Sequence, residues 1–207
     1  MLYRRKIPPA DTNLSDMLLS SGWRKIKEPN SLFLAVVFSI PFMILNGLLT
    51  ILLVSPIRDW TIAFWNRILD SGSLVFSVRL VYLPAFFAFL IAHELLHAVL
   101  VPNFIRSRKT FWGITLFGGF VSTTEEMSKL RFVLISVLPL LVLSFLLPAV
   151  LHLLGLFNGY VAFLAILNAL SSSVDMLNVL LIGVQVPNGS RIINNGSETY
   201  HKRINFL

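Results

Sequence analysis

The stretch His93-Glu94-Leu95-Leu96-His97 has the residue types and the spacing of a metal hydrolase. On a helix, positions i and i+4 share one face, so both imidazoles can reach one metal ion. Glu94 stands beside them, placed to engage a water on the metal rather than the metal itself. Zinc lowers the pKa of such a water, and a neighbouring carboxylate can take its proton and later hand it to a leaving amine. The competing explanation is a Glu/His cluster satisfied inside a helical core. Two of the four histidines in the chain fall in this pentapeptide.

A catalytic zinc takes three protein ligands and leaves a fourth position to water. Cysteine is absent, so thiolates cannot contribute, and the remaining ligand must be His or a carboxylate. Asp175 is the only carboxylate in the last long apolar stretch. Asn168, Ser171, Ser172, Asp175 and Asn178 recur at helical intervals and form one polar stripe, which must face a protein interior if the surroundings are lipid. The competing explanation for Asp175 is satisfaction by the Ser and Asn residues near it. Asn168 is placed either to orient Asp175 or to polarise a scissile carbonyl. Glu125 and Glu126 are rival ligands, but they sit in a charged loop that they are expected to cap or solvate. His152 is expected at the far end of its apolar stretch, and His201 in an exposed polar tail.

The elements that position these groups are apolar. The chain has 207 residues, 56% hydrophobic and 13% charged, with 17 Phe. Soluble domains carry about a quarter charged residues, so this composition predicts an all-α polytopic membrane protein. Crossing a bilayer takes about 20 apolar residues, and four stretches qualify: Leu32–Val54, Leu80–Val101, Phe132–Leu154 and Tyr160–Gln185. Ser55–Arg79, with Trp60 and Trp65, is expected to form an interfacial amphipathic helix or to extend the second span. Three regions follow: an N-terminal segment (1–30), a membrane core (31–185) and a C-terminal tail (186–207). In hydrocarbon, three ionisable residues within five positions are costly and normally functional, which favours metal binding for the His-Glu-His cluster.

Phe111–Ser128 reads differently. Its glycines and β-formers, Gly113 to Thr123, are too few to span and predict a small β-hairpin or edge strand between the second and third spans. The alternative is a loop with hydrophobic anchors. Gly118 and Gly119 within it are candidate substrate-binding or site-supporting positions.

The net charge of +7 could suggest nucleic acid, but the basic residues flank the spans and form no stripe with interleaved aromatics, which argues against such a partner. Arg4, Arg5, Lys6, Arg24, Lys25 and Lys27 precede the first span; Arg106, Arg108, Lys109, Lys129 and Arg131 follow the second. Arg191, Lys202 and Arg203 follow the fourth, whereas Arg58 and Arg67 in the first loop are balanced by Asp59 and Asp70. Both termini are therefore expected in the cytoplasm, with the protein multi-pass in the cell membrane. About thirty mostly polar residues lie ahead of the first span, unlike a cleavable signal peptide. By this topology, His93, His97 and Asp175 lie at similar depths, near the cytoplasmic face. The sequons at Asn13, Asn188 and Asn195 fall in cytoplasmic segments and carry no weight.

HELLH in one span and a lone Asp two spans later resemble the site-2 protease class of intramembrane metalloproteases. The resemblance implies zinc held by the two histidines and the Asp, with an intervening β-element that binds the substrate strand. Gly113–Thr123, Met127-Ser-Lys-Leu-Arg and Pro139 resemble that region. The chain departs from the class pattern of Asn-x-x-Pro leading to Leu-Asp-Gly, having Asn168-Ala-Leu-Ser-Ser-Ser-Val-Asp175-Met instead. It more closely resembles small bacterial membrane proteins described as "putative zincin peptidases". The shared features are Gly22-Trp-Arg-Lys-Ile-Lys-Glu-Pro, the Ser172-x-x-Asp175 form and the tail from Val186-Pro-Asn-Gly-Ser to Asn195-Gly-Ser-Glu-Thr-Tyr200.

The expected function is zinc-dependent endoproteolysis of membrane-associated proteins or peptides, with Glu94 as general base. Two alternatives remain open. One is a non-proteolytic metal-binding membrane protein, such as a sensor or scaffold. The other is a zinc hydrolase for a lipid or small amide. Metal transport is disfavoured, because the polar groups cluster toward one side of the membrane rather than along a path across it.

Overall fold

The computed structural model describes residues 2–5, 8–73, 80, 82–115 and 118–203. Among these, four helical stretches are long and apolar enough to cross a membrane: Leu32–Leu53, Tyr82–Val99, Lys129–Leu153 and Gly159–Gln185. Their ends follow local chemistry. The Ser31 side chain accepts the Leu34 N–H and starts α2 (Leu32–Leu53). Asn158 accepts from the Tyr160 and Val161 N–H groups and starts α7 (Gly159–Ser171). Such caps replace the intrahelical partners that a first turn lacks. The outer faces carry exposed Phe33, Leu52, Phe87 and Leu153, a surface suited to lipid rather than water.

Between the first two long helices lies α3 (Ser55–Ser71), so the first loop is largely a helix of its own; 74–79 lie outside the described residues. Pro56 sits in its first turn, where a missing N–H is tolerated. Gly72 closes it in the left-handed conformation, φ +63°. α3 packs against α7 through Trp60, whose indole fills the space that a side chain at Gly159 would need.

The third long helix runs as α5 (Lys129–Pro139), a π-helical segment (Leu140–Leu146) and α6 (Leu147–Leu153). It begins at Lys129 rather than Phe132, because Ser128 accepts the Arg131 N–H and caps it there. The fourth is two helices, α7 and α8 (Ser173–Gln185), joined at Ser172. The Ser171 hydroxyl bonds the Asn168 carbonyl, and the Ser172 N–H bonds it as well. Serine side chains compete in this way with the regular backbone ladder.

Two small sheets cover the end of the bundle at which α4 (Tyr82–Val99) finishes. The predicted hairpin is present: β3 (Thr110–Thr115) pairs antiparallel with β4 (Gly118–Thr123), and β1 (Leu2–Tyr3) adds parallel to the outer edge of β3. The turn at 116–117 lies outside the described residues. Among the described residues, the order β1-β3-β4 leaves β4 with an unpaired edge.

The second sheet lies beyond an all-α reading. Its order is β2 (Arg24–Lys25), β7 (Glu198–Arg203), β6 (Ser190–Asn195) and β5 (Met127–Ser128). The C-terminal tail is thus a hairpin, turning at Gly196-Ser197 with Gly196 at φ +62°. β2 pairs with β7, so the N-terminal segment and the tail share one sheet. α1 (Thr12–Ser20) packs across it. The Asn195 amide donates to the Asp11 carbonyl and Ser15 hydroxyl, and Tyr200 donates to Glu198. The opposite face buries Ile192 and Met127 on Ile182 and Val186 of the bundle.

His201 is not in an exposed tail. It lies half-buried in β7 opposite Arg24, where burial and the Arg24 charge hold its imidazole below the usual histidine range.

Candidate metal centre

α4 and α8 bring His93, His97 and Asp175 together. The two Nε2 atoms are 3.2 Å apart, and Asp175 Oδ2 lies 3.7 Å from His93 Nε2 and 3.6 Å from His97 Nε2. All three side chains are mostly buried, with 14%, 14% and 21% of their surface exposed.

The far side of each ring is fixed by an acceptor. His97 Nδ1 is 2.9 Å from the Ile135 carbonyl oxygen. That carbonyl would ordinarily accept the N–H four residues on, but the residue there is Pro139, which has none. The proline thereby frees the acceptor that His97 uses. His93 Nδ1 is 2.7 Å from Asn168 Oδ1. The Asn168 amide donates its two N–H bonds to the Pro139 carbonyl and the Ser144 hydroxyl, at 3.1 and 2.8 Å. Ser144, in the π-helical segment, donates onward to the Ala165 carbonyl. Widened π turns are often found at functional sites.

These bonds settle the tautomers. The Pro139 carbonyl can only accept, so the Asn168 NH2 points to it and Oδ1 points to His93. Ile135 O and Asn168 Oδ1 are both acceptors, so each imidazole carries its proton on Nδ1. Each ring thus turns its Nε2 toward the other ring and toward the Asp175 carboxylate. Three potential ligand atoms within 3.2–3.7 Å of one another could hold a cation between them. A tetrahedral zinc with bonds of about 2.0–2.2 Å spaces its ligand atoms about 3.4 Å apart, which these separations match. The donor set of two neutral imidazoles and one carboxylate fits zinc.

Asn168 therefore does not orient Asp175, as the sequence spacing suggested; its whole amide is committed to His93 and its supports. Partners that orient metal-bound histidines tune affinity strongly. Asn168→Ala is expected to lower zinc affinity about 10- to 100-fold, read by competition with a chromogenic chelator. Unchanged affinity would show that the His93 orientation does not depend on this bond.

The rival carboxylates are occupied elsewhere. Glu125 accepts from the Ser107 hydroxyl, and Glu126 lies 3.6 Å from Arg191 Nε. His152 stacks edge-on to Phe157 at the opposite end of the third long helix.

The His93, His97 and Asp175 side chains line a cavity of about 460 Å³. Its size falls within the range of about 300–1,000 Å³ common for ligand sites. Glu94 lines it too, directly under Gly119 of β4. A methyl group at position 119 would overlap Glu94 Cγ, so only glycine lets the strand approach this closely. Gly118 begins the same strand, opposite Thr115. Gly119→Ala is expected to displace the Glu94 carboxylate and cut turnover about 100-fold, with bound metal unchanged, since ångström-scale misplacement has effects of that size. Parallel rate and metal measurements separate this from loss of the metal.

The HExxH histidines of α4 and a carboxylate from a later helix thus form a group that could hold a metal ion. The chain belongs to the family described as "Putative zincin peptidase", whose model matches residues 86–191, just over half the sequence. That span holds HELLH, the hairpin, Pro139, Asn168 and Asp175. No curated protein and no solved structure gives a significant match. The family's description supports a metallopeptidase in broad class and implies zinc.

Proposed function

We propose that the protein is a zinc-dependent endopeptidase that spans the cell membrane and cuts membrane-associated proteins or peptides at, or just inside, the cytoplasmic face. The observation that carries this reading is the pairing of two features: three convergent ligand atoms and, among the described residues, an unpaired β-strand edge beside the general-base candidate.

His93, His97 and Asp175 would hold the metal. A zinc ion bound there supplies Lewis acidity, polarising a carbonyl and lowering the pKa of a water to about 7. Glu94 takes a proton from the attacking water on a carboxylate oxygen and delivers it to the leaving amine. Asn168 and Ile135 keep both imidazoles turned with Nε2 inward through the cycle. A substrate helix hides its carbonyls in hydrogen bonds, so it must unwind before attack. The free edge of β4 can pair with the extended segment and hold its carbonyl near Glu94. β1 occupies the outer edge of β3 at Phe111 and Trp112, and among the described residues the outer edge of β4 carries no strand, which favours β4 for this role.

Two further features support the membrane part of the reading. Four helices are long and apolar enough to cross, and the basic residues gather at the end that carries both sheets. β2 and β7 pair, which agrees with an even number of spans and both termini on one side.

The test is cleavage of an extended peptide, or of a co-expressed single-span membrane protein, by the zinc-loaded protein in liposomes. Activity that depends on Glu94 and on zinc supports the reading. A protein that binds zinc yet cleaves nothing in a Glu94-dependent way points to the sensor or scaffold alternative. Release of fatty acid or of a small amine in place of peptides points to a different zinc hydrolase.

A further inference from the structure

The C-terminal hairpin reaches the cavity through Asn194. Side chains alternate along β6, so Ser190, Ile192 and Asn194 share the face turned to the bundle. Ser190 and Ile192 are buried there, Ile192 against Met127, Ile182 and Val186. Two residues on, the same face meets the cavity in place of packed helix, and the residue is an amide. One end of that amide, Oδ1, is shielded from solvent and has no hydrogen-bond partner among the described residues. Buried amide groups are almost always paired, and leaving one unmade costs free energy that a bound ligand recovers. The neighbouring Asn195 points the other way and is fully engaged by Asp11 and Ser15.

Among the described residues, β6 pairs with β5 only at Arg191 and Ile192, so its backbone is unpaired on that side at Asn194. β4 and β6 lie in contact, and Thr123 at the end of β4 lines the cavity with Met127 and Asn194. Gly119, over Glu94, lies four residues back along β4, about 13 Å at about 3.3 Å per residue. A peptide laid along the β4 edge from Glu94 outward would meet the Asn194 amide about four residues from the bond being cut.

We infer that Asn194 is a substrate-positioning residue that hydrogen-bonds the backbone of an extended peptide about four residues from its scissile bond. The inference rests on the endopeptidase reading above. An amide side chain can present its oxygen to a peptide N–H or its NH2 to a peptide carbonyl, so the recognised group is the peptide unit and not a particular side chain. The C-terminal hairpin is then one wall of the substrate cleft, and selectivity extends to segments long enough to reach it.

Binding to the full-length, zinc-loaded Glu94→Gln protein in nanodiscs tests this without turnover. The probes are acetohydroxamate, which can engage only the metal, and two Ala/Val hexapeptide hydroxamates with the metal-binding group at either end, covering both strand directions. Asn194→Ala is expected to weaken the tighter hexapeptide probe about tenfold, while acetohydroxamate affinity and zinc content stay constant. Thr199→Ala is the control for the hairpin itself, since it removes a hydrogen bond to Glu28. An Asn194→Ala protein that binds the hexapeptide probe like its parent overturns the inference alone. So does a Thr199→Ala protein that loses as much affinity. If neither hexapeptide probe binds the parent more tightly than acetohydroxamate, peptide recognition itself is absent, and the endopeptidase reading falls with the inference.

Discussion

Replacing Glu94 with glutamine is expected to eliminate peptide cleavage while leaving zinc bound. The exchange preserves the size of the side chain, so the close fit beneath Gly119 is kept. It removes the carboxylate's ability to take a proton. General-base catalysis contributes about 10²- to 10⁴-fold, and here the same group must also return the proton to the leaving amine. A fall in kcat of at least about 10³-fold is therefore expected, with little change in KM, as for an interaction made in the transition state. Initial rates and metal analysis on one preparation check it. Retained activity would place the base elsewhere. Loss of zinc along with activity would make Glu94 a ligand, and the three-ligand centre would need redrawing.

Much of this centre is legible in the chain because its chemistry is costly where it sits. His93, Glu94, His97 and Asp175 stand out against long apolar runs, and helical spacing alone puts the histidines on one face. The hairpin at Gly113–Thr123 is readable from its β-formers and its length. What sequence spacing misses depends on partners far along the chain. Pro139 announces that the Ile135 carbonyl is free, but nothing local says that His97 will use it. Asn168 lies seven residues before Asp175, which suggests a mutual contact; the break at Ser172 and the widened turn at Ser144 direct it to His93 instead. The tail illustrates a signal outweighed by composition. Asn195-Gly196 between alternating residues is a strong hairpin signature, yet its polar surroundings read as a solvated tail. Strands as short as β1, β2 and β5 leave no local trace, since two residues acquire a ladder only from the strand they join.

Removing a ligand should have the largest effect on metal content. Among the described residues the centre offers three ligand atoms, the corners of a triangle with edges of 3.2–3.7 Å. With His97→Ala or Asp175→Ala two ligands remain, and zinc affinity should fall far below that of the Asn168 variant, leaving purified protein essentially metal-free. Stability gives an independent readout. A ligand that binds only the folded state stabilises it by about 2.7 kcal/mol at one hundred times its Kd, so added zinc should raise the unfolding temperature of the parent protein. That rise should vanish in both variants and persist in Glu94→Gln. Chelation should abolish cleavage by the parent, and zinc should restore it. Asp175→Ala carries the most information, because Asp175 is the ligand supplied from outside the HELLH helix. If this variant keeps both its zinc and its zinc-induced stabilisation, the third ligand is another group on the cavity wall, and Glu94 becomes the first candidate. If it loses both while Glu94→Gln keeps both, the carboxylates have the separate roles that their positions imply: Asp175 holds the metal, and Glu94 moves the proton.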